Sequence, residues 1–470
     1  MALSRIWTAF ILVAILVAAG RYLFVPGQEK IFSQLVTGKN TDTLSSRSAD
    51  SASIPPRVLA QLEFEKAAIW ENERVVRDGD HYRVFRLLPA NGIIDTCKAA
   101  VDICIGLIGI MALFMGFMTI AERAGGIRFL SRLIGPFFSR IFPEIPKGHP
   151  SMGHMMMNFS ANLLGLDNAA TPFGIKAMES LQELNPDKTR ATNAQIMFLC
   201  LHASGLTLIP VAIIAARSAV KPPAANPTDI FVPSMIATFC ATMAAMIIVS
   251  MRQRISLFKP VILAWVGGIS AIIATLVWLL TSLPPGRVEL VSGAMGNGVL
   301  LLVLLLILAG AVYKKINIFD AFIDGARGGF ETAIRIIPYL VGLLVAISLL
   351  RNSGTFDWII SGMKHLFGAL GADTRFVDGL PTALIKPLSG NGARGMMIDT
   401  MSAYGADSFA GRLACILQGS SDTTFYVVAV YFGAVAVRNT RYSIGVMLLA
   451  DLVGIIASIT LAYLFFGHSA

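Results

Sequence analysis

NFSANLLGLDNAATPFGIKAM runs from Asn158 to Met178, and LSGNGARGMMIDTM runs from Leu388 to Met401. Laid together from Asn168 and Asn391, the two stretches reach a methionine at the same distance, Met178 and Met401. Both are polar and rich in glycine and alanine, in a chain that is otherwise strongly apolar. Hydrocarbon penalises broken backbone and polar side chains unless protein or a wet cavity surrounds them. Two such interruptions at matching places in two halves point to a binding site at the interface between internal repeats.

The apolar background decides the class. The 470 residues are 55% hydrophobic and 14% charged, whereas a soluble domain carries roughly a quarter charged residues. The chain is read as an all-α polytopic membrane protein built from two inverted repeats with re-entrant hairpins. Apolar runs at 101–120, 194–216, 230–250, 260–283, 298–312, 332–350, 411–437 and 442–466 serve as spans. With an uncleaved N-terminal anchor at 6–19 they make about nine transmembrane helices. Amphipathic pieces at 127–142 and 355–370 precede the interruptions. The first interleaves Arg128, Arg132 and Arg140 with Phe129, Leu130, Leu133 and Ile134, a pattern that suits the membrane surface.

The expected segments are an anchor at 1–21, an extramembrane insert at 22–96, a first repeat at 97–250, connecting helices at 260–316 and a second repeat at 317–470. Within the insert, 41–53 reads as a flexible loop and 57–77 has helix-forming composition. Asp78-Gly79-Asp80 reads as a turn and 81–88 as a short strand. Cys97, Cys104, Cys200, Cys240 and Cys415 are scattered without a CxxC pair, which argues against a zinc or disulfide framework.

The net charge of +9 is spread between spans rather than gathered in one stripe. It reads as positive-inside bias and not as a nucleic-acid footprint. Arg123, Arg128, Arg132, Arg140, Lys147, Arg252, Arg254, Lys259, Lys314, Lys315, Arg438 and Arg441 fall on one side if every span crosses once. That side is expected to be the cytoplasm of a plasma (inner) membrane, with the N-terminus inside and the insert and C-terminus outside. Arg351 and Lys364 fall on the other side.

In the first interruption, Asn158, Asn162, Asn168 and Thr171 offer amide and hydroxyl groups to a polar solute, with Gly165 and Pro172 as helix breakers. In the second, Ser389, Asn391 and Arg394 do so beside Pro387, Gly390 and Gly392. The same groups can instead satisfy the broken backbone. A further polar run, Gln418, Ser420, Ser421, Asp422, Thr423 and Thr424, lies inside an apolar span. An aspartate there costs roughly 3 kcal/mol unless paired or hydrated. Asp422 is therefore expected to couple to a cation or proton, or to pair with Arg394. Ser204 and Thr207 are the weaker counterparts in the first half, since such hydroxyls more often bond their own helix. His149, His154 and Met155 to Met157 resemble a soft-metal cluster, but methionines also fill packing gaps, and no metal is assigned.

The repeat extends further. Arg123-Ala124-Gly125-Gly126 is echoed by Arg351-Asn352-Ser353-Gly354, and His202-Ala203-Ser204-Gly205-Leu206-Thr207 can be laid against Gln418-Gly419-Ser420-Ser421-Asp422-Thr423. The span order sets 101–120 and 332–350 in opposite senses, as in inverted-topology transporters.

MMMNFSANLLGLDNAATPFGIKAMESLQELNP resembles spore maturation protein A, and PLSGNGARGMMIDTMSAYGADSFAGRLACILQGSSDTTFYVVAVYFGAV resembles spore maturation protein B. The chain looks like a fusion of the two near 252–259, and the resemblance covers nearly everything but the insert. It implies the nucleoside-recognition or gate domain, also found in concentrative nucleoside transporters and ferrous iron transport protein B. A transporter-like membrane core for a nucleoside-like or other small polar solute is the expectation, worked by a secondary, ion-coupled mechanism. The alternative is a non-transporting envelope scaffold acting through its insert. No Walker loop, dinucleotide fingerprint, HExxH or GxSxG occurs, so neither an enzyme nor a cofactor is expected. The expected partners are the bilayer and a small solute, with a homo-oligomer left open.

Overall fold

The computed structural model describes residues 2–26, 28–49, 54, 58–59, 62, 67–70, 73–78, 81–163, 167–205, 207, 210–282 and 285–467. It divides into two units, one formed by Ser4–Ala100 with Val341–His365, the other by Met1–Leu3, Val101–Leu340 and Leu366–Ala470.

The first unit begins with α1 (Ala2–Phe24) and α2 (Ile31–Thr37). An antiparallel sheet follows, ordered β1 (Lys39–Ala49), β4 (His81–Ala90), β3 (Glu73–Asp78), β2 (Ala67–Trp70). The strand expected at 81–88 is present. The loop expected at 41–53 is strand through Ala49, because that segment pairs along β4; residues 50–53 lie outside the described residues. The helix-like composition of 57–77 gives two strands in its second half, where Ile69, Trp70, Val75 and Val76 suit a pleated surface. Asp78 pairs with His81; the turn residues 79–80 between them lie outside the described residues. Ile54, Val58, Leu62, Ala68 and Val75 form a small core of their own.

The second unit holds most of the two repeats; residues 93–100 of the first and 341–365 of the second belong to the first unit. In the first half, α3 (Ile93–Arg123) leads to α4 (Gly126–Ile141), then to a hairpin of α5 (Pro150–Leu163) and α6 (Asp167–Glu183). Two short helices follow, α7 (Asn193–Ala203) and α8 (Val211–Ala219), and then the long α9 (Phe231–Gln253). After α10 (Pro260–Thr281) and α11 (Pro285–Tyr313) the plan recurs. It runs through α12 (Ile318–Asn352), α13 (Thr355–Ala369) and the hairpin α14 (Leu380–Ile385) and α15 (Gly390–Tyr404). The split pair α16 (Phe409–Gly419) and α17 (Thr424–Ala434) and then α18 (Ser443–Phe466) complete it. The junctions α3–α4 and α12–α13 turn at equivalent glycines in left-handed conformation, Gly125 (φ 84°) and Gly354 (φ 79°), a geometry that glycine adopts without steric cost.

Among the described residues, eight segments are long and apolar enough to cross a membrane, with the interrupted α16–α17 pair counted as one. The span expected at 194–216 is two helices, too short to cross singly, because Gly205 is left-handed and Pro210 precedes α8. The span expected at 411–437 is broken likewise at 420–423. Pro172 lies within α6 rather than at a break; the break itself, including Gly165, lies outside the described residues. The central half-helices are buried all round: Gln195 to Ala203 in α7, and Phe409 to Gln418 in α16. A helix apolar on every side belongs inside a bundle, and α7 shares its core with α6, α9, α17 and α18.

A buried ion network ties the halves at one end. Asp229, just before α9, accepts from Arg217 of α8 (2.8 Å) and from Arg412 of α16 (2.8 Å). Arg217 also donates to Asp407 (3.0 Å) and to the Ala406 carbonyl (2.7 Å). Removing one member of a buried pair leaves a stranded charge. Asp229→Ala is expected to cost ~3–5 kcal/mol, read as a lower unfolding temperature in detergent; an unchanged melting curve would refute this role.

Candidate functional site

Each α-helix end leaves backbone groups without an intrahelical partner. Here the two broken helices supply partners to each other. The Asp422 N–H donates to the Ala203 carbonyl at 2.7 Å, joining the break of α16–α17 to the end of α7. Gly205 lies against this crossing, so that a Cβ there would sit 3.1 Å from the Asp422 nitrogen. The Asp422 carboxylate accepts from the Thr423 N–H at 2.7 Å. The α14–α15 hairpin adds a third contribution, with the Phe425 N–H donating to the Pro387 carbonyl at 3.0 Å.

On one side of the crossing stands His202, the penultimate residue of α7. Its Nε2 lies 3.8 Å from an Asp422 carboxylate oxygen. Its Nδ1 lies 3.0 Å from Asn158 Oδ1 and 2.8 Å from Asn162 Nδ2. Asn158 is fixed by donating to the Ala170 carbonyl across its own hairpin (2.6 Å), which turns its Oδ1 toward the ring. A neutral imidazole carries one N–H. With the proton on Nδ1 it donates to Asn158 and presents a lone pair to Asp422; with the proton on Nε2 it accepts from Asn162 and donates toward Asp422. His202 is 4% exposed and Asp422 is 45% exposed, so a buried titratable ring meets an open carboxylate. Tyr431 of α17 closes this side, its ring centroid 4.8 Å from that of His202 and its hydroxyl near Thr171 and Asn158.

The chain belongs to the spore maturation protein A and B family. Spore maturation protein B of Bacillus subtilis (strain 168) is 47% identical over 163 residues, 35% of this chain and 90% of that protein. Spore maturation protein A of the same strain is 44% identical over 151 residues, 32% of this chain and 76% of the relative. Inner membrane protein YjiG of Escherichia coli (strain K12) is 31% identical over 132 residues, 27% of this chain and 75% of that protein. The profile of the Gate family, described as nucleoside recognition, matches residues 104–219 and 333–438. No solved structure matches. The crossing and both hairpins of this family member lie inside the matched segments, and the chain is a multi-pass membrane protein whose environment is the lipid bilayer.

The remaining groups of this gate core divide. Thr424 donates to Asp451 of α18 at 2.6 Å, and Ser421 lies near the same carboxylate. Lys386, at the tip of the second hairpin, donates to the Gln418 carbonyl. Gln418 Nε2 approaches the Gly390 carbonyl at 3.5 Å, while its buried Oε1 has no hydrogen-bond partner among the described residues. Thr423 is buried against Gly390. Other candidates are occupied locally. Ser204 and Ser420 donate to the carbonyls of Leu201 (2.6 Å) and Leu417 (2.9 Å), three residues back at equivalent breaks. Thr207 donates to Gly205 (3.0 Å) and Ser389 caps α15 by accepting from Gly392 (3.0 Å). The structure thus gives these four hydroxyls to backbone rather than to the crossing.

Asn391 is exposed at the start of α15, and the side chain of Asn168 lies outside the described ones. The basic group beside Asp422 is His202; Arg394 lies near enough to Cys104 of α3 to act on it electrostatically. His149 and His154 face Ser151 (2.9 Å) and Ser180 (2.8 Å). His202 and Tyr431 escape a reading of the sequence because each sits in an apolar run. The one signal was the alignment of the His202 segment with the Asp422 segment.

Gly174 of α6 makes room for Tyr431: a Cβ there would overlap the tyrosine ring. Gly174→Ala is expected to destabilise the protein by ~1–3 kcal/mol through overpacking. Tyr431→Leu should recover part of that loss in the double variant. Equal melting temperatures for wild type and Gly174→Ala would overturn the packing described.

Proposed function

We propose that the chain is a secondary permease for a small polar solute, with His202 and Asp422 as its coupling pair. The observation that carries this reading is the half-exposed Asp422 carboxylate beside the buried His202 ring where two broken helices cross. Discontinuous helices supply ligand and ion sites in transporters because their ends carry unsatisfied groups and partial charge. An imidazole that can hold its proton on either nitrogen, next to a carboxylate, can take up and release a proton or admit a cation. Asn162 and Thr171, partly exposed, supply amide and hydroxyl groups of the kind a nucleoside-like solute requires, while the buried Asn158 and Tyr431 hold His202 in place. Asn168, Asn391, Arg394, Gln418, Ser421 and Thr423 remain proposed outer contacts. The end bearing Arg252 and Arg441 is assigned to the cytoplasm by the positive-inside rule, with the insert and C-terminus outside.

Uptake of labelled uridine into proteoliposomes under an imposed proton or sodium gradient tests this. Wild type is expected to accumulate it, and His202→Gln and Asp422→Asn to lower the initial rate at least about tenfold, the effect of losing a group used in the transport step. Equal uptake by all three proteins would sink the assignment of the pair.

The separate sheet and core of the insert favour a second reading, in which that module recruits envelope partners. Deleting residues 22–96 separates the two. Full uptake with loss of the cellular phenotype would support the scaffold.

A further inference from the structure

A second built site lies at the end of the bundle remote from the Arg217–Asp229 network. The loop from Leu184 to Thr192 and the loop after α17 are stitched together there. The N–H groups of Arg438 and Asn439 both donate to the Thr189 carbonyl (2.9 and 3.0 Å), and the Ala191 N–H donates to the Asn439 carbonyl (2.9 Å). Between these loops and the end of α9 is a cavity of about 440 Å³ lined by Arg190, Arg252, Asn439, Arg441 and Tyr442. One arginine comes from each of the two loops and the third from α9.

Among the described residues, no carboxylate lines it. Among the described residues, none of the three guanidiniums has an acidic side chain within 4 Å. Asp187 is the acid that acts on Arg190, and it is held by hydrogen bonds from the Thr189 hydroxyl and N–H (2.8 and 3.0 Å). Arg252 and Arg441 face the same Tyr442 ring, at 5.6 and 5.2 Å from its centroid. Tyr442 is fixed through its hydroxyl by Gln253 (3.0 Å), and Arg441 by Ala191 and Asn193 (3.2 and 2.9 Å). Arg441 itself has a left-handed backbone, φ 53°, a conformation uncommon for non-glycine residues. Like charges held this close repel unless a counter-ion joins them. Guanidinium groups in a fixed array match the geometry of phosphate oxygens, and the N-terminus of α18, at Ser443 directly after Tyr442, adds positive potential.

We infer that this cavity binds a phosphate-bearing anion at the membrane interface, through Arg190, Arg252 and Arg441. Two sources share that chemistry: the headgroup of an anionic lipid, which basic pockets between membrane helices accept, and a soluble phosphate. The site joins both halves of the chain, so its occupant would fasten them at the end opposite the buried ion network.

The test uses the full chain in neutral detergent, followed by thermal unfolding. Titrants are phosphatidylglycerol and phosphatidylcholine in mixed micelles, and inorganic phosphate in solution. The expected result is a rise in melting temperature with phosphatidylglycerol but not with phosphatidylcholine if the source is lipid, or with inorganic phosphate if it is soluble. Arg190→Gln and Arg252→Gln involve exposed side chains without backbone-fixing hydrogen bonds, so both variants should melt like wild type before titration. Each should shift half-saturation about fivefold upward, the effect of about 1 kcal/mol per interfacial arginine. No shift in wild type with any titrant, or an equal shift in the Arg190→Gln/Arg252→Gln protein, would overturn the site.

Discussion

A polypeptide cannot end a helix inside hydrocarbon without giving its freed N–H and C=O groups new partners. This protein breaks two helices and joins the two breaks by a backbone hydrogen bond. The bond from the Asp422 N–H to the Ala203 carbonyl joins chain segments far apart in sequence, and the Pro387 carbonyl receives Phe425 at the same place. Around that crossing α7 and α16 are buried on every side, and the glycine at position 205 leaves room for the Asp422 backbone. Helix breaks that would be a liability in a simple bundle thereby become a place where polar groups converge.

The two ends of the bundle solve the charge problem differently. At one, Arg217 and Arg412 are taken out of solvent and neutralised by Asp229 and Asp407. Such a network gives little net stability compared with apolar packing, but it is severe on any arrangement that leaves one member unpaired. At the other, three arginines line an open cavity and, among the described residues, none has an acidic side chain within 4 Å. The halves are therefore clamped internally at one end and joined by backbone hydrogen bonds between loops at the other. A core held this way has a stiff end and an end whose charge awaits a counter-ion, an asymmetry that suits a protein set across a membrane.

The membrane class, the repeat and the position of the interruptions were legible because they are properties of composition and order. A run such as Gln418 to Thr424 is anomalous in an apolar span whatever surrounds it. The strands of the insert were less legible: 41–49 is polar and 67–78 mixed, and they became strands because β4 pairs with β1 and β3, and β3 in turn with β2. Breaks at 204–210 and 420–423 were visible as polar residues, but not as full interruptions, since the apolar flanks read continuously through them.

The sequence by itself determined that this chain enters a bilayer, that its two halves repeat, and that polar groups accumulate at matching places, because hydrophobic length and residue chemistry are local quantities. Only the tertiary structure decided which of those groups meet. Ser204, Thr207, Ser389 and Ser420 look like ligands in one dimension, yet their hydroxyls are used within one turn of their own backbone. His202, Tyr431 and Arg217 look like incidental members of apolar runs, yet burial gives each a partner from another segment. A hydrogen bond's worth depends on what lies within about 3 Å of it, and that distance is set by the folding of remote helices onto one another.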